Sequence, residues 1–162
     1  MGPREEKFRY PGHCFKSFIE NTDPFPFFSI QKKSQKQIGH LQARRRDIAA
    51  GLWIFEAYEQ QLTQYLIEGL GRIPAVTVYG PPAGHPRTST VSFTYNGHTA
   101  AEVAQYLAAK GLFVTHGDFY ASSMIDCLGL RDQGGLVRIG IAPYNAKEEL
   151  DRVIDALKED LD

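Results

Sequence analysis

The chain has 162 residues, 43% of them apolar and 23% charged, with a formal net charge of −1. That length allows one modest domain with a real core, and the near balance of charge gives no electrostatic footprint for a polyanionic partner. No apolar run can span a bilayer, since FPFFSI at 25–30 is too short. The opening MGPREEKFRY has no hydrophobic signal region, and Glu6 breaks the myristoylation pattern, so we expect a cytoplasmic protein without a membrane partner.

Residues 1–41 mix Pro3, Pro11, Pro24 and Pro26 with the aromatics Phe25, Phe27 and Phe28 and then a polar basic run, with neither helix nor strand periodicity. An irregular, poorly ordered segment is expected there, or one docked through its aromatics, ahead of a domain over 42–162. Lys32, Lys33, Lys36, Arg44, Arg45 and Arg46 crowd one stretch. Without interleaved stacking aromatics or a nucleic-acid fold signature they read as a solvated lead into a helix, and no nucleic acid is expected as partner.

From 44 to 70 the residues Ile48, Leu52, Phe55, Tyr58, Leu62, Tyr65, Leu66 and Leu70 recur at spacings of three and four, which predicts a long amphipathic helix stopped by Gly71 and Pro74. Trp53 stands beside that stripe, in a position to face a partner. A short strand at 76–79, the turn GPPAGHP and a strand at 88–95 alternating Ser89, Val91, Phe93 and Tyr95 predict a hairpin with a long loop. Thr99 with Glu102 three residues on is a capping box, opening a helix that turns Val103, Tyr106 and Leu107 inward before Lys110 and Gly111. A third strand is expected at 112–115. His116, Gly117 and Asp118 then make a turn in which Gly117 takes positive φ and Asp118 caps the helix ASSMIDCLGL.

Gly134 and Gly135 open the last strand, 136–141. Val137, Ile139 and Ile141 form a core face at period two, while Leu136, Arg138, Gly140 and Ala142 share the other. The final helix is expected to start with Asn145 as cap and Glu148 in the third position, with the stripe Leu150, Val153, Ile154, Leu157 and Leu161. Tyr144 and Asn145 are accounted for as turn and cap. About four mostly antiparallel strands with helices laid on one face, preceded by the long helix, make an α+β fold, a two-layer sandwich.

Arg138 is the odd residue of its face. A guanidinium cannot be deprotonated and is costly to bury alone, so it calls for an anion: a structural Asp or Glu, or a ligand. Cys14 and Cys127 are far apart and read as ordinary thiols in a reducing compartment. His13 with Cys14, and His116 with Asp118, lack further ligands at useful spacing, so no metal is expected.

The strings RTSTVSFTYNGHTAAEVAQYLAAKGLFVTHGDFYA and LVRIGIAPYNAKEELDRVIDAL resemble the C-terminal small domain of class V aminotransferases and cysteine desulfurases, fold type I enzymes that use pyridoxal phosphate. The likeness is closest to the cysteine desulfurase-like subgroup and extends more weakly upstream through RRRDIAAGLWIFEAYEQQLTQYLIEGLGRIPAVTVYGPP. It implies that Arg138 grips the α-carboxylate of an amino acid or other small carboxylate substrate. Bidentate pairing fixes both the position and the rotation of that group, which a lysine could not do. It also implies substrate contacts for His116 and Tyr120, a helix bridging two domains, and a homodimer.

Two departures accompany the likeness. Where the desulfurases carry a reactive cysteine, this loop has Tyr120, whose phenolic oxygen is neither a soft nucleophile nor a persulfide carrier. The family's cofactor-holding lysine lies upstream of the matched region. Of Lys7, Lys16, Lys32, Lys33 and Lys36 none stands in the family's motif, and Lys16, the nearest candidate, has no strand pattern or aspartate beside it. The resemblance therefore implies a substrate-binding domain lacking its large pyridoxal phosphate domain, inactive alone and holding no covalent cofactor. The alternative is a non-catalytic α+β module that binds a small carboxylate or a protein partner through the Arg138 face of the sheet.

Overall fold

The computed structural model describes residues 8–9, 43–159 and 161. Helix α1, Ala43–Leu70, follows the predicted stripe, but its two halves differ in what they meet. Leu62, Leu66, Ile67 and Leu70 are buried, whereas Ile48, Leu52 and Phe55 remain about half exposed, at 54%, 51% and 49%. Thr63 is buried on the packed side, and its hydroxyl donates to the Glu59 carbonyl at 2.7 Å, which satisfies the polar group within the helix itself.

Strands β1, Phe8–Arg9, β2, Val76–Tyr79, β3, Thr90–Tyr95, β4, Thr115–Gly117, and β5, Leu136–Gly140, form one sheet in the order β1-β2-β3-β5-β4. The four expected strands are antiparallel neighbours, and β2 with β3 is the predicted hairpin. Phe8–Arg9 adds a short parallel edge to β2. Sequence alternation gives no hint of it, because pairing to a free edge needs only backbone donors and acceptors. The other residues of the segment 1–41, Lys16, Lys32, Lys33 and Lys36 among them, lie outside the described residues.

Helix α2, Ala100–Ala109, carries the predicted capping box: the Glu102 N–H donates to Thr99 Oγ1 at 3.3 Å and the Thr99 N–H to Glu102 Oε2 at 2.7 Å. The strand expected at 112–115 is shifted to β4. The Leu112 N–H is spent on the Leu107 carbonyl at 2.9 Å, so the chain is still closing the helix there and Leu112 drops into the core. Helix α3, Ser122–Leu128, follows, and α4, Lys147–Lys158, ends the described fold.

Helix α4 starts one residue later than expected. Ala146 is the cap residue and Glu149, not Glu148, reaches back to its N–H at 2.9 Å, while Asn145 closes the preceding turn by accepting from the Ala142 N–H at 2.8 Å. The expected stripe from Leu150 to Leu161 is buried throughout.

Helices α1, α2 and α4 bury one face of the sheet, where Val76, Val78, Val91, Phe93, Val137 and Ile139 join their stripes in one core. The reading of helices on one face holds for these three. Helix α3 is the exception, for Ile125 and Leu130 meet Tyr79 and Leu136 in a second, smaller core, with Phe119 and Leu128 packed against it. Cys127 lies on α3, and Cys14 lies outside the described residues.

Candidate carboxylate-binding face

The register of β5 decides what shares a surface with Arg138. Antiparallel partners point the same way, and Arg138 lies opposite Ser92 on β3 and Thr115 on β4. Thr94 follows Ser92 on that face and pairs with Thr77 of β2. The face opposite the main core is thus a band of small hydroxyls around one guanidinium. Toward β2 it continues into a polar hollow of about 350 Å3 bounded by Thr77, Tyr79, Thr94, Asn96, Leu130 and Gln133.

Arg138 is half-buried, and its guanidinium lies over the Phe119 ring, 3.9 Å from the centroid. None of the ion pairs among the described residues involves it. A cation against a ring is attracted through the face of its plane, which leaves the N–H edges unused.

The loop that brings Phe119 there is unusual in its backbone. Gly117 has φ 132°, the predicted positive value, and Phe119 and Tyr120 follow at 53° and 61°. Two successive left-handed residues with side chains are strained, at roughly 1–3 kcal/mol each, and persist only where neighbours hold them. Asp118 is such a neighbour: its Oδ1 accepts from the Tyr120 N–H at 3.0 Å and its Oδ2 from the Ser122 hydroxyl at 2.6 Å. The Ser122 hydroxyl, then the Tyr120 N–H, hold its carboxyl below the ordinary value of 3.8. Asp118 thus braces the turn before α3, whose cap residue is Ala121. Gly135 supplies the second constraint, since a Cβ there would stand 2.3 Å from the Gly117 carbonyl oxygen. The loop and the start of β5 touch backbone to backbone.

Of the three site residues named from the sequence, Arg138 lies at the centre of this face, and Tyr120, next to Phe119 in the loop, is fully exposed. His116 is not brought to them. It pairs with Val137, whose side chain belongs to the main core, so the register sends the imidazole to the opposite side of an edge strand, where it is exposed. Sequence reading passed over Phe119, Ser92 and Thr115. The alternation of β3 was read for its core residues, and the hydroxyls between them are the signal that could have disclosed the other face.

The described residues do not fit a covalent pyridoxal phosphate site. Their three lysines are all engaged on the helical layer: Lys110 with Glu159, Lys147 with Asp151 at 2.9 Å, and Lys158 with Asp155 at 2.8 Å. Among the described residues no cluster of three His, Cys, Asp or Glu could hold a metal ion, and no helix is long and apolar enough to cross a membrane.

Residues 46–153, more than half of the chain, match the family model described as Aminotransferase class-V. The chain is similar to a cysteine desulfurase of Pectobacterium atrosepticum, 29% identical over 110 residues, which are 68% of this chain and 26% of the relative. A cysteine desulfurase of Salmonella agona is 32% identical over 100 residues, 62% of this chain and 23% of the relative. Among solved structures, an apo cysteine desulfurase from Thermococcus onnurineus superposes with a TM-score of 0.63 at 28% identity, covering 71% of this chain and 28% of that one. The chain spans about a quarter of the length of the curated relatives it matches.

Proposed function

Because this chain belongs to the aminotransferase class-V family, whose members are pyridoxal phosphate enzymes, we propose that residues 42–162 are the C-terminal substrate-binding domain of a cysteine desulfurase-like enzyme. In this reading Arg138 grips the α-carboxylate of an amino acid substrate. The observation that carries it is the state of Arg138, a half-buried guanidinium on the sheet face opposite the main core with its fork directed to no carboxylate among the described residues. Thr115 is committed to the Arg138 carbonyl at 3.1 Å, which leaves Ser92 as the hydroxyl beside an incoming anion.

Pyridoxal phosphate, when bound, supplies the electron sink for bond breaking at the substrate's α-carbon. What this domain contributes is position: a bidentate grip fixes how the α-carbon is presented. The cofactor-holding lysine belongs to a large domain outside the described residues, and the chain alone is inactive. The exposed half of α1, from Ile48 to Phe55, is where that domain or a second subunit packs. Tyr120 stands where the desulfurases carry their cysteine, so the substrate is an amino acid processed without a persulfide on this loop.

Calorimetry with L-alanine and L-cysteine, together with cofactor labelling, tests this reading. Wild type should bind either amino acid with millimolar affinity, and Arg138→Lys, which keeps the charge but loses the fork, should bind at least about tenfold more weakly. Borohydride reduction after mixing with equimolar pyridoxal phosphate should leave no lysine labelled stoichiometrically. A single fully labelled lysine, or equal affinity in Arg138→Lys, would contradict the assignment.

A further inference from the structure

We propose that Phe119 is a positioning residue for Arg138: its ring holds the guanidinium flat, so that the N–H edges stay open for a carboxylate. This rests on the reading of Arg138 given above and adds to it the element that orients the grip.

An arginine on an open surface has two ways to lose its function. It can swing through its rotamers, at a cost in entropy when a ligand fixes it, or fold onto a nearby carboxylate that occupies the fork. The loop before α3 blocks both. The Phe119 ring, 3.9 Å from the guanidinium carbon, fixes the plane through its face and uses no N–H donor. Asp118, the neighbouring acid, accepts from Tyr120 and Ser122 instead and forms no ion pair with Arg138.

The strain in the loop has a consistent explanation in this role. With φ of 53° at Phe119 and 61° at Tyr120, the chain adopts a conformation disfavoured for both residues. That conformation seats the ring between Arg138 and the small core of Tyr79, Ile125, Leu130 and Leu136. Phe119 is anchored by its apolar contacts on one side and supports the cation on the other.

Two variants separate orientation from mere packing. Phe119→Leu keeps an apolar anchor but no ring face, and Phe119→Tyr keeps the ring. Carboxylate affinity is read by calorimetry with L-alanine, and the Arg138 Nε–H resonance by NMR, where a ring beneath the guanidinium displaces the shift from that of a free arginine. Phe119→Leu should bind about fivefold more weakly than wild type, consistent with a surface cation–π contact, and its Arg138 resonance should return to the free position. Phe119→Tyr should restore both at a melting temperature equal to wild type.

If wild type binds and Arg138→Ala does not, but Phe119→Leu binds as wild type does, the positioning role is overturned while the reading of Arg138 stands. If wild type binds no carboxylate, that reading fails and this inference with it. An Arg138 resonance at the free position in wild type overturns the stack directly.

Discussion

The two faces of one sheet have opposite designs. Beneath α1, α2 and α4, Phe93, Val91 and Val137 are fully buried and the strands carry little but branched and aromatic carbon. Across the same strands, one residue out of phase, stand Thr77, Thr94, Ser92 and Arg138, with only α3 and the Phe119 loop lying over part of them. The first face has everything it needs within the described fold. The second contains a cation that apolar or hydroxyl neighbours alone do not complete. The lesson is that period two, read only for its hydrophobic half, locates a core and hides a site.

The contrast breaks most visibly on the closed side. Phe93 pairs with Val78 and Val137 at the centre of the sheet, and Phe93→Ala should cost about 3–5 kcal/mol in denaturant unfolding, since the void cannot close around regular strands. A loss below about 1 kcal/mol would mean the main core is not where the strand register puts it.

A smaller effect is expected where the open side is braced. Gly135 has φ 88°, and an added Cβ would stand 2.3 Å from the Gly117 oxygen. Gly135→Ala should therefore destabilise by about 1–3 kcal/mol and broaden the NMR signals of the 117–121 loop. Unchanged stability and sharp loop signals would remove the case for a braced loop.

The smallest effect is one of pH. Asp118 is depressed in the folded state by the Ser122 hydroxyl and the Tyr120 N–H, so what it contributes is complete above its unfolded value of 3.8 and is lost as pH falls through the lower folded one. Acid from about pH 4 downward should loosen the Phe119 turn, followed as a chemical-shift change at Tyr120. Asp118→Asn should show the loosened position already at neutral pH, and an identical acid titration in that variant would contradict the bracing role.

The fold was legible wherever side-chain periodicity and backbone need agreed. The stripe of α4, the capping box at Thr99 and Glu102, and the alternation around Arg138 all followed from residue spacing. What escaped was set by backbone bonding that leaves no mark in side-chain pattern: the Leu112 N–H retained by α2, the cap of α4 moved to Ala146 by Asn145, and the parallel pairing of Phe8–Arg9. Arg138 was conspicuous as a lone cation among small residues. Its partner Phe119 was not, because a cation–π contact across a left-handed turn has no sequence spacing.

The separation of His116 from Arg138 was equally hidden. The family resemblance implied a substrate contact for His116, but the parity of the β4 register places the two side chains on opposite faces.

The carboxylate grip proposed for Arg138 can be read out in a titration of the full chain with L-alanine, followed by backbone amide NMR. Shifts should gather at Ser92, Thr115, Phe119 and Arg138, leave α2 and α4 unmoved, and vanish in Arg138→Ala, which should remain folded with a loss of about 1 kcal/mol from the missing contact with Phe119. Shifts on the helical layer instead, or the same map in Arg138→Ala, would contradict it.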